Sequence, residues 1–278
     1  MSLFIPEDRN YLKWTLEPYI ELENFNPIEK KVLVNDEITI DNVNYNSKYR
    51  TMQSIPGILV FNGNTYGRKN NRTLYKCIPN DNKLPIFLVP YTQKESNFNK
   101  TKLNKYVLFK FDNWNEKHPY GTITNTLGDV NDINIFYDYQ LYCKNVHYSI
   151  QKLNKIVKTK LNKLKNNEVI YNLLYDNYNI ENRENFDVFT IDPKETTDYD
   201  DAFGFRKINE HESIVSIYIS NVPLILSALE LWDNLSQRVS TIYLPNKKIP
   251  MLPNILSDNI CSLVENEKRF VLALDIHI

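Results

Sequence analysis

Between Phe189 and Gly204 the chain places Asp192, Asp198, Asp200 and Asp201 within ten residues, just after a short apolar, strand-like run. Carboxylates that crowded call for a cation. Hard divalent ions such as Mg²⁺ take oxygen ligands and usually keep several waters, so an acidic cage with open positions suits metal-assisted chemistry on phosphodiesters. The acids alone leave a solvated surface loop as the alternative. An EF-hand fits poorly, because that loop wants Gly at its sixth position and, counted from Asp198, the first glycine, Gly204, is seventh.

Backbone geometry decides what this spacing can do. Side chains alternate along an extended chain, so Asp198 and Asp200 share one side and Asp201 faces the other. One straight strand cannot aim all four at one ion. Residues 193–197, Pro-Lys-Glu-Thr-Thr, read as a turn that folds Asp192 back toward the later three and allows a bend between Asp200 and Asp201.

These residues also resemble the signature of the RNase II/RNase R (RNB) exoribonuclease family, with Thr190-Ile191-Asp192, an acid six residues on, then Asp200-Asp201-Ala202. The likeness continues in order. Ile217 to Val222 stands where the family has its H-I-A-D-V strand, Arg238 to Pro245 is similar to R-G-x-S-x-Y-L-P, and Ile249 to Pro253 reproduces I-P-M-L-P. Leu256 to Leu263 is similar to L-S-x-x-L-C-S-L, and Arg269 to Asp275 to R-x-A-x-S-x-D. The resemblance spans residues 187–278 and implies that Asp192, Asp198, Asp200 and Asp201 are catalytic acids that bind Mg²⁺. It implies that Tyr243 stacks on a base at the 3′ end of single-stranded RNA and that Arg238 contacts the same strand. Hydrolysis would run 3′ to 5′ and release nucleoside 5′-monophosphates. Stacking suits an enzyme that accepts any sequence, since every base has a π-face. Only the Tyr-Leu-Pro block singles Tyr243 out, because most of the 19 tyrosines must serve ordinary packing or surface roles.

Three positions depart from the family pattern. Tyr218 and Asn221 replace its His and Asp, and Val239 its Gly. None removes a metal-binding acid, so the expected effect falls on rim contacts beside the site. The family's RNB domain is several times longer than the 92 residues from Asp187 onward, so the chain reads as a fragment or truncated product. RNA binding without cleavage is the alternative function.

The elements upstream must supply the scaffold. Residues 58–61, 74–78, 86–91, 106–111, 121–124 and 135–139 are short apolar or alternating runs divided by Asn, Gly, Pro and Asp, the texture of a small antiparallel barrel. The block with Trp114, Pro119, Gly121, Leu127 and Gly128 resembles the cold-shock (OB) domain that precedes the RNB domain in these enzymes. OB surfaces bind single strands through aromatics and a basic groove, which makes Tyr66 and Arg68 candidate RNA contacts, Tyr66 exposed in a loop and nearby Phe61 in the core. Lys144, Lys152, Lys155, Lys158, Lys160, Lys163 and Lys165 share a stretch without acids, and its apolar residues recur at three- and four-residue steps. That spacing predicts an amphipathic helix with lysines outward.

The expected architecture is α+β: an N-terminal extension or partial cold-shock module at 1–55, an OB barrel at 56–141, a basic helical connector at 142–186 and the N-terminal part of an RNB domain at 187–278. Trp14 to Leu22 suggests a short amphipathic element, and Val32 to Val43 a strand pair around Asn35-Asp36. A net charge of −1 hides local asymmetry. No apolar run approaches a membrane span of about 18 residues, and no secretory signal opens the chain, so an intracellular protein without membrane partners is expected. Cys77, Cys143 and Cys261 are odd in number and scattered, which fits reduced thiols.

Overall fold

The computed structural model describes residues 1–92, 103–147, 150–163, 174, 178–235 and 240–278. They form two compact units, Met1–His147 and Tyr148–Ile278, each with its own hydrophobic core. Residues 1–55 share the core of the barrel that follows them.

In the first unit, β1 (Ser2–Pro6), β2 (Trp14–Glu17), β3 (Glu37–Ile38) and β4 (Val43–Asn44) form a small sheet in the order β2-β1-β3-β4. The Trp14 segment is therefore a strand. The expected hairpin at Asn35-Asp36 lies one turn later, where the Thr39 amide donates to the Asn42 carbonyl at 2.8 Å. Asp36 explains the shift. Its buried carboxylate accepts the amides of Leu33 and Ser47 at 2.7 and 2.9 Å and pairs with Arg50 at 2.6 Å, so the segment serves as a polar hub instead of a hairpin tip. Arg50 belongs to the short helix α1 (Lys48–Thr51).

The barrel comprises β5 (Ile55–Val60), β6 (Arg68–Lys69), β7 (Arg72–Pro79), β8 (Phe87–Tyr91), β9 (Lys105–Asn113) and β10 (Tyr120–Asp129) in the order β5-β9-β10-β8-β7-β6. Pairing of β5 with β7 closes it, and β8 runs parallel to β10 through Leu88 and Tyr120. This is the OB arrangement. The fully buried Phe109 ring lies 4.9 Å from Phe87 at its centre. Gly57 and Gly121 crowd the same ring, since a Cβ on either would stand 2.9 or 2.8 Å from it.

Residues 135–139, expected as a strand, lie in helix α2 (Ile133–Cys143). Asp132 caps its N-terminus by accepting the Asn134 amide at 2.8 Å. Phe136 and Tyr139, three residues apart, then share a helical face and pack on Tyr106, with ring centroids 6.2 and 4.2 Å away. A five-residue apolar run cannot distinguish these periods.

In the second unit, the expected basic helix is α3 (Ile150–Lys163). It buries Leu153 and Val157 in a core with Ile225, Leu226, Leu231 and Leu256, while Lys152, Lys155 and Lys158 stay exposed. Leu164 and Lys165 lie outside the described residues, and Lys144 ends α2. A four-stranded sheet follows, built from β11 (Val188–Phe189), β12 (Asp201–Lys207), β13 (Ser213–Ser220) and, after helix α4 (Val222–Ala228) and the ribbon β14 (Ile242–Leu244) and β15 (Lys247–Ile249), strand β16 (Val271–His277). All its neighbours are antiparallel. One face carries exposed Phe189, Phe205, Ile219, Leu272, Leu274 and Ile276, with Asp201 in register with Ile219.

The other face is secured by Arg183, whose guanidinium forks onto Asp275 with two contacts of 2.8 Å while Ser216 donates to the same carboxylate at 2.7 Å. Those hydrogen bonds, Arg183 first, hold the Asp275 carboxyl down at about 2. A depressed acid stabilises the fold above its unfolded value near 4, and the contribution disappears as pH falls through 2. Asp275→Asn should cost about 1–2 kcal/mol at pH 7, and chemical denaturation of variant and parent should converge toward pH 2. In the first unit, Gly121→Ala should lower the melting temperature by the equivalent of about 1–3 kcal/mol through overpacking against Phe109, measured by thermal unfolding.

Candidate metal and RNA site

The acid-bearing loop is tied down from both sides. The Ser220 amide, at the end of β13, donates to the Asp200 carbonyl at 2.9 Å, and Asp201 begins β12 opposite Ile219. The fully buried Ser262 hydroxyl donates to the Thr197 carbonyl and accepts the Tyr199 amide, both at 3.0 Å. The Leu263 amide donates to the Tyr199 carbonyl at 3.0 Å, and Arg269 donates to the Ser262 carbonyl at 2.7 Å. Asp198 is thereby held between two anchored neighbours. Upstream, Thr196 closes a turn onto the Pro193 carbonyl with its amide at 3.3 Å and its hydroxyl at 2.9 Å.

This turn brings Asp192 within electrostatic reach of Asp200. Burial foremost, then the charges of Asp198, Asp201 and Asp192, push the Asp200 carboxyl above its usual range, against the opposing pull of Lys248. Asp192, Asp200 and Asp201 are exposed and Asp198 is half-buried, so the cluster opens to solvent. Lys248 on β15 reaches in and pairs with Asp198 at 2.6 Å. That hydrogen bond is the main reason its ammonium is held above the usual lysine value, with the charges of Asp198 and Asp258 adding to it.

Tyr243 is paired with Lys248 across the ribbon, so both side chains leave the same face. It is 75% exposed, a ring offered to solvent beside the acids instead of packed in a core. Arg238 lies outside the described residues. Of the departures from the family pattern, Val239 lies outside the described residues and the other two are placed by the fold. Tyr218 is buried on the sheet face opposite Asp201, and Asn221 caps α4 by accepting the Leu224 amide at 3.2 Å, a role that Asn and Asp fill equally well.

On the barrel, Tyr66 is half-buried where loop exposure was expected, because its ring meets His118 edge-on at 6.3 Å and Lys76 lies over it at 5.4 Å. Burial, and then the charges of Lys117, Lys76 and Lys31, hold the His118 imidazole below its usual value. Arg68 is exposed on the adjoining strand β6, and Phe61 is in the core. Tyr66 comes from the loop between β5 and β6 and His118 from the loop between β9 and β10, which, with β6 a short extension paired to β7, correspond to the loops with which OB folds hold oligonucleotides.

The donor set of the acid cluster, carboxylate oxygens with one lysine as counter-charge, has the chemistry that Mg²⁺ accepts. Among the described residues no three acidic, His or Cys side chains stand close enough to ligate one ion, so the cluster is a donor set not drawn together.

Comparison with known proteins agrees with the geometry. Residues 180–278 match the RNB domain and residues 74–137 the Dis3-like cold-shock domain 2. The class is thus an OB barrel followed by RNB-domain sequence, and over these segments the chain is similar to the RNase II/RNase R family. Exoribonuclease 2 of Aeromonas hydrophila subsp. hydrophila is 37% identical over 84 residues, covering 30% of this chain and 12% of that protein. Exoribonuclease 2 of Proteus mirabilis is 45% identical over 92 residues, covering 32% and 14%. Mycoplasma genitalium RNase R, solved in complex with ribose-methylated single-stranded RNA, shares the fold at a TM-score of 0.58 and 17% identity, covering 99% of this chain and 43% of that one. The chain spans less than half the length of these relatives.

Ser262 and Lys248 were not singled out by sequence reasoning. Ser262 stands in the Leu-Cys-Ser-Leu block, a usable signal, whereas nothing local marks Lys248, whose partner is 50 residues away. Ser262→Ala leaves the Tyr199 amide and Thr197 carbonyl without that partner and should cost about 1–3 kcal/mol in denaturant unfolding.

Proposed function

We propose that this chain belongs to an intracellular 3′-to-5′ exoribonuclease that hydrolyses single-stranded RNA to nucleoside 5′-monophosphates, with Mg²⁺ held by Asp192, Asp198, Asp200 and Asp201. The observation that carries this reading is that the charges of Asp198, Asp201 and Asp192 all reach Asp200 beside the exposed Tyr243 ring, within RNB-like sequence. When bound, the metal supplies charge neutralisation at the attacked phosphate. Tyr243 stacks on a base near the 3′ end and so fixes where the backbone meets the acids, while Arg238 contacts the phosphate chain. Tyr66 and Arg68, with Lys76 and His118, hold the strand on the barrel by stacking and by charge.

Aspartate-cluster chemistry should be separable from strand docking. With a 3′-fluorescent single-stranded RNA and Mg²⁺, Asp200→Asn in the chain extended to its relatives' length should lose at least 100-fold in cleavage rate while its RNA affinity stays within about threefold of the parent. Equal turnover by variant and parent would refute the assignment.

A second reading, RNA binding without cleavage by these 278 residues, is favoured by the absence of three converging ligands among the described residues. Weak, salt-sensitive binding without 3′ shortening is its signature.

A further inference from the structure

Resting on the metal reading above, we infer that Lys248 is a tethered competitor for the divalent ion: its ammonium occupies Asp198 in the metal-free chain and is released when the ion binds. Lys248 Nζ lies 2.6 Å from Asp198 Oδ2, a charge-assisted contact at the position where an incoming cation would meet that carboxylate. Ser262 fixes the backbone on both sides of Asp198, so the carboxylate cannot swing far to serve two cations. Lysine, a compact charge on a flexible stem, can move instead.

The ribbon gives that movement a consequence. Lys248 and Tyr243 occupy paired positions on one face of β14 and β15, so an ammonium leaving Asp198 remains beside the exposed ring. It becomes a free positive charge next to the stacked base, where the neighbouring phosphate of the strand must pass. Metal occupancy and phosphate attraction are thus linked through one side chain.

The experiment titrates Mn²⁺ as the probe into the full 278-residue chain, with binding read by water-proton relaxation and no RNA present. Lys248→Met should tighten the apparent Mn²⁺ dissociation constant by about fivefold, the effect of one screened charge, and Lys248→Arg should leave it near the parent value. A dissociation constant unchanged or weakened in Lys248→Met, with Mn²⁺ binding still abolished by Asp200→Asn, overturns the competitor role and leaves the metal site standing. Absence of binding in parent and Lys248→Met alike overturns both. A readout independent of variant folding is acylation footprinting by mass spectrometry, in which Lys248 of the parent should become more reactive relative to Lys247 when Mn²⁺ is added. Equal reactivity with and without Mn²⁺ overturns the release step.

Discussion

Mutual repulsion among four carboxylates is the constraint around which the second unit is arranged. Left to a flexible loop, Asp192, Asp198, Asp200 and Asp201 would separate until water and salt screened them. Here backbone hydrogen bonds limit that separation without bringing three of the described carboxylates to one point. Ser220 holds the Asp200 carbonyl, Ser262 and Leu263 hold the residues flanking Asp198, and the Pro193–Thr196 turn returns Asp192. Neutral hydrogen bonds to main chain thereby hold an electrostatically unfavourable arrangement, and the Asp200 carboxyl is raised by burial first and then by the charges of its neighbours.

Seen this way, the conserved-looking blocks far from the acids acquire separate physical duties. The Leu-Cys-Ser-Leu block supplies the clamp on the loop, and Arg269 in turn holds Ser262 by its carbonyl. Asp275, at the end of the last block, is engaged by Arg183 and Ser216. It anchors Arg183 against β13 and stabilises the sheet from which β12 and Asp201 project. Asn221 starts a helix whose Ile225 and Leu226 fill the core under the site. At Asn221 the substituted residue still supplies the helix cap that its place demands.

The acids, the turn before them, the basic helix and the OB barrel were legible because each is written in local spacing: charge density, Pro at a turn, three- and four-residue apolar steps, or short alternating runs. What failed was decided by longer-range partners. Residues 135–139 are helical because Asp132 caps them and Tyr106 receives their aromatic face. Asn35-Asp36 misled because the buried carboxylate of Asp36 answers Arg50 and Ser47, not the next strand. Tyr66 is half-buried because His118 arrives from a loop some 50 residues later, and Lys248 enters the acid cluster across a similar interval. No window of sequence contains either meeting.

A net charge of −1 says little about how such a chain treats RNA, because its charge is sorted. On the barrel, burial and then the charges of Lys117, Lys76 and Lys31 lower the proton affinity of His118. In the second unit, the acids around Asp200 present the opposite sign. A phosphodiester is therefore attracted to the barrel loops without help but repelled by the acid cluster until cations compensate it. Lys248 compensates only one carboxylate of four. Under the proposed function, binding at the barrel would need no divalent ion whereas approach to the acids would, so the chain's own electrostatics would divide recognition from chemistry.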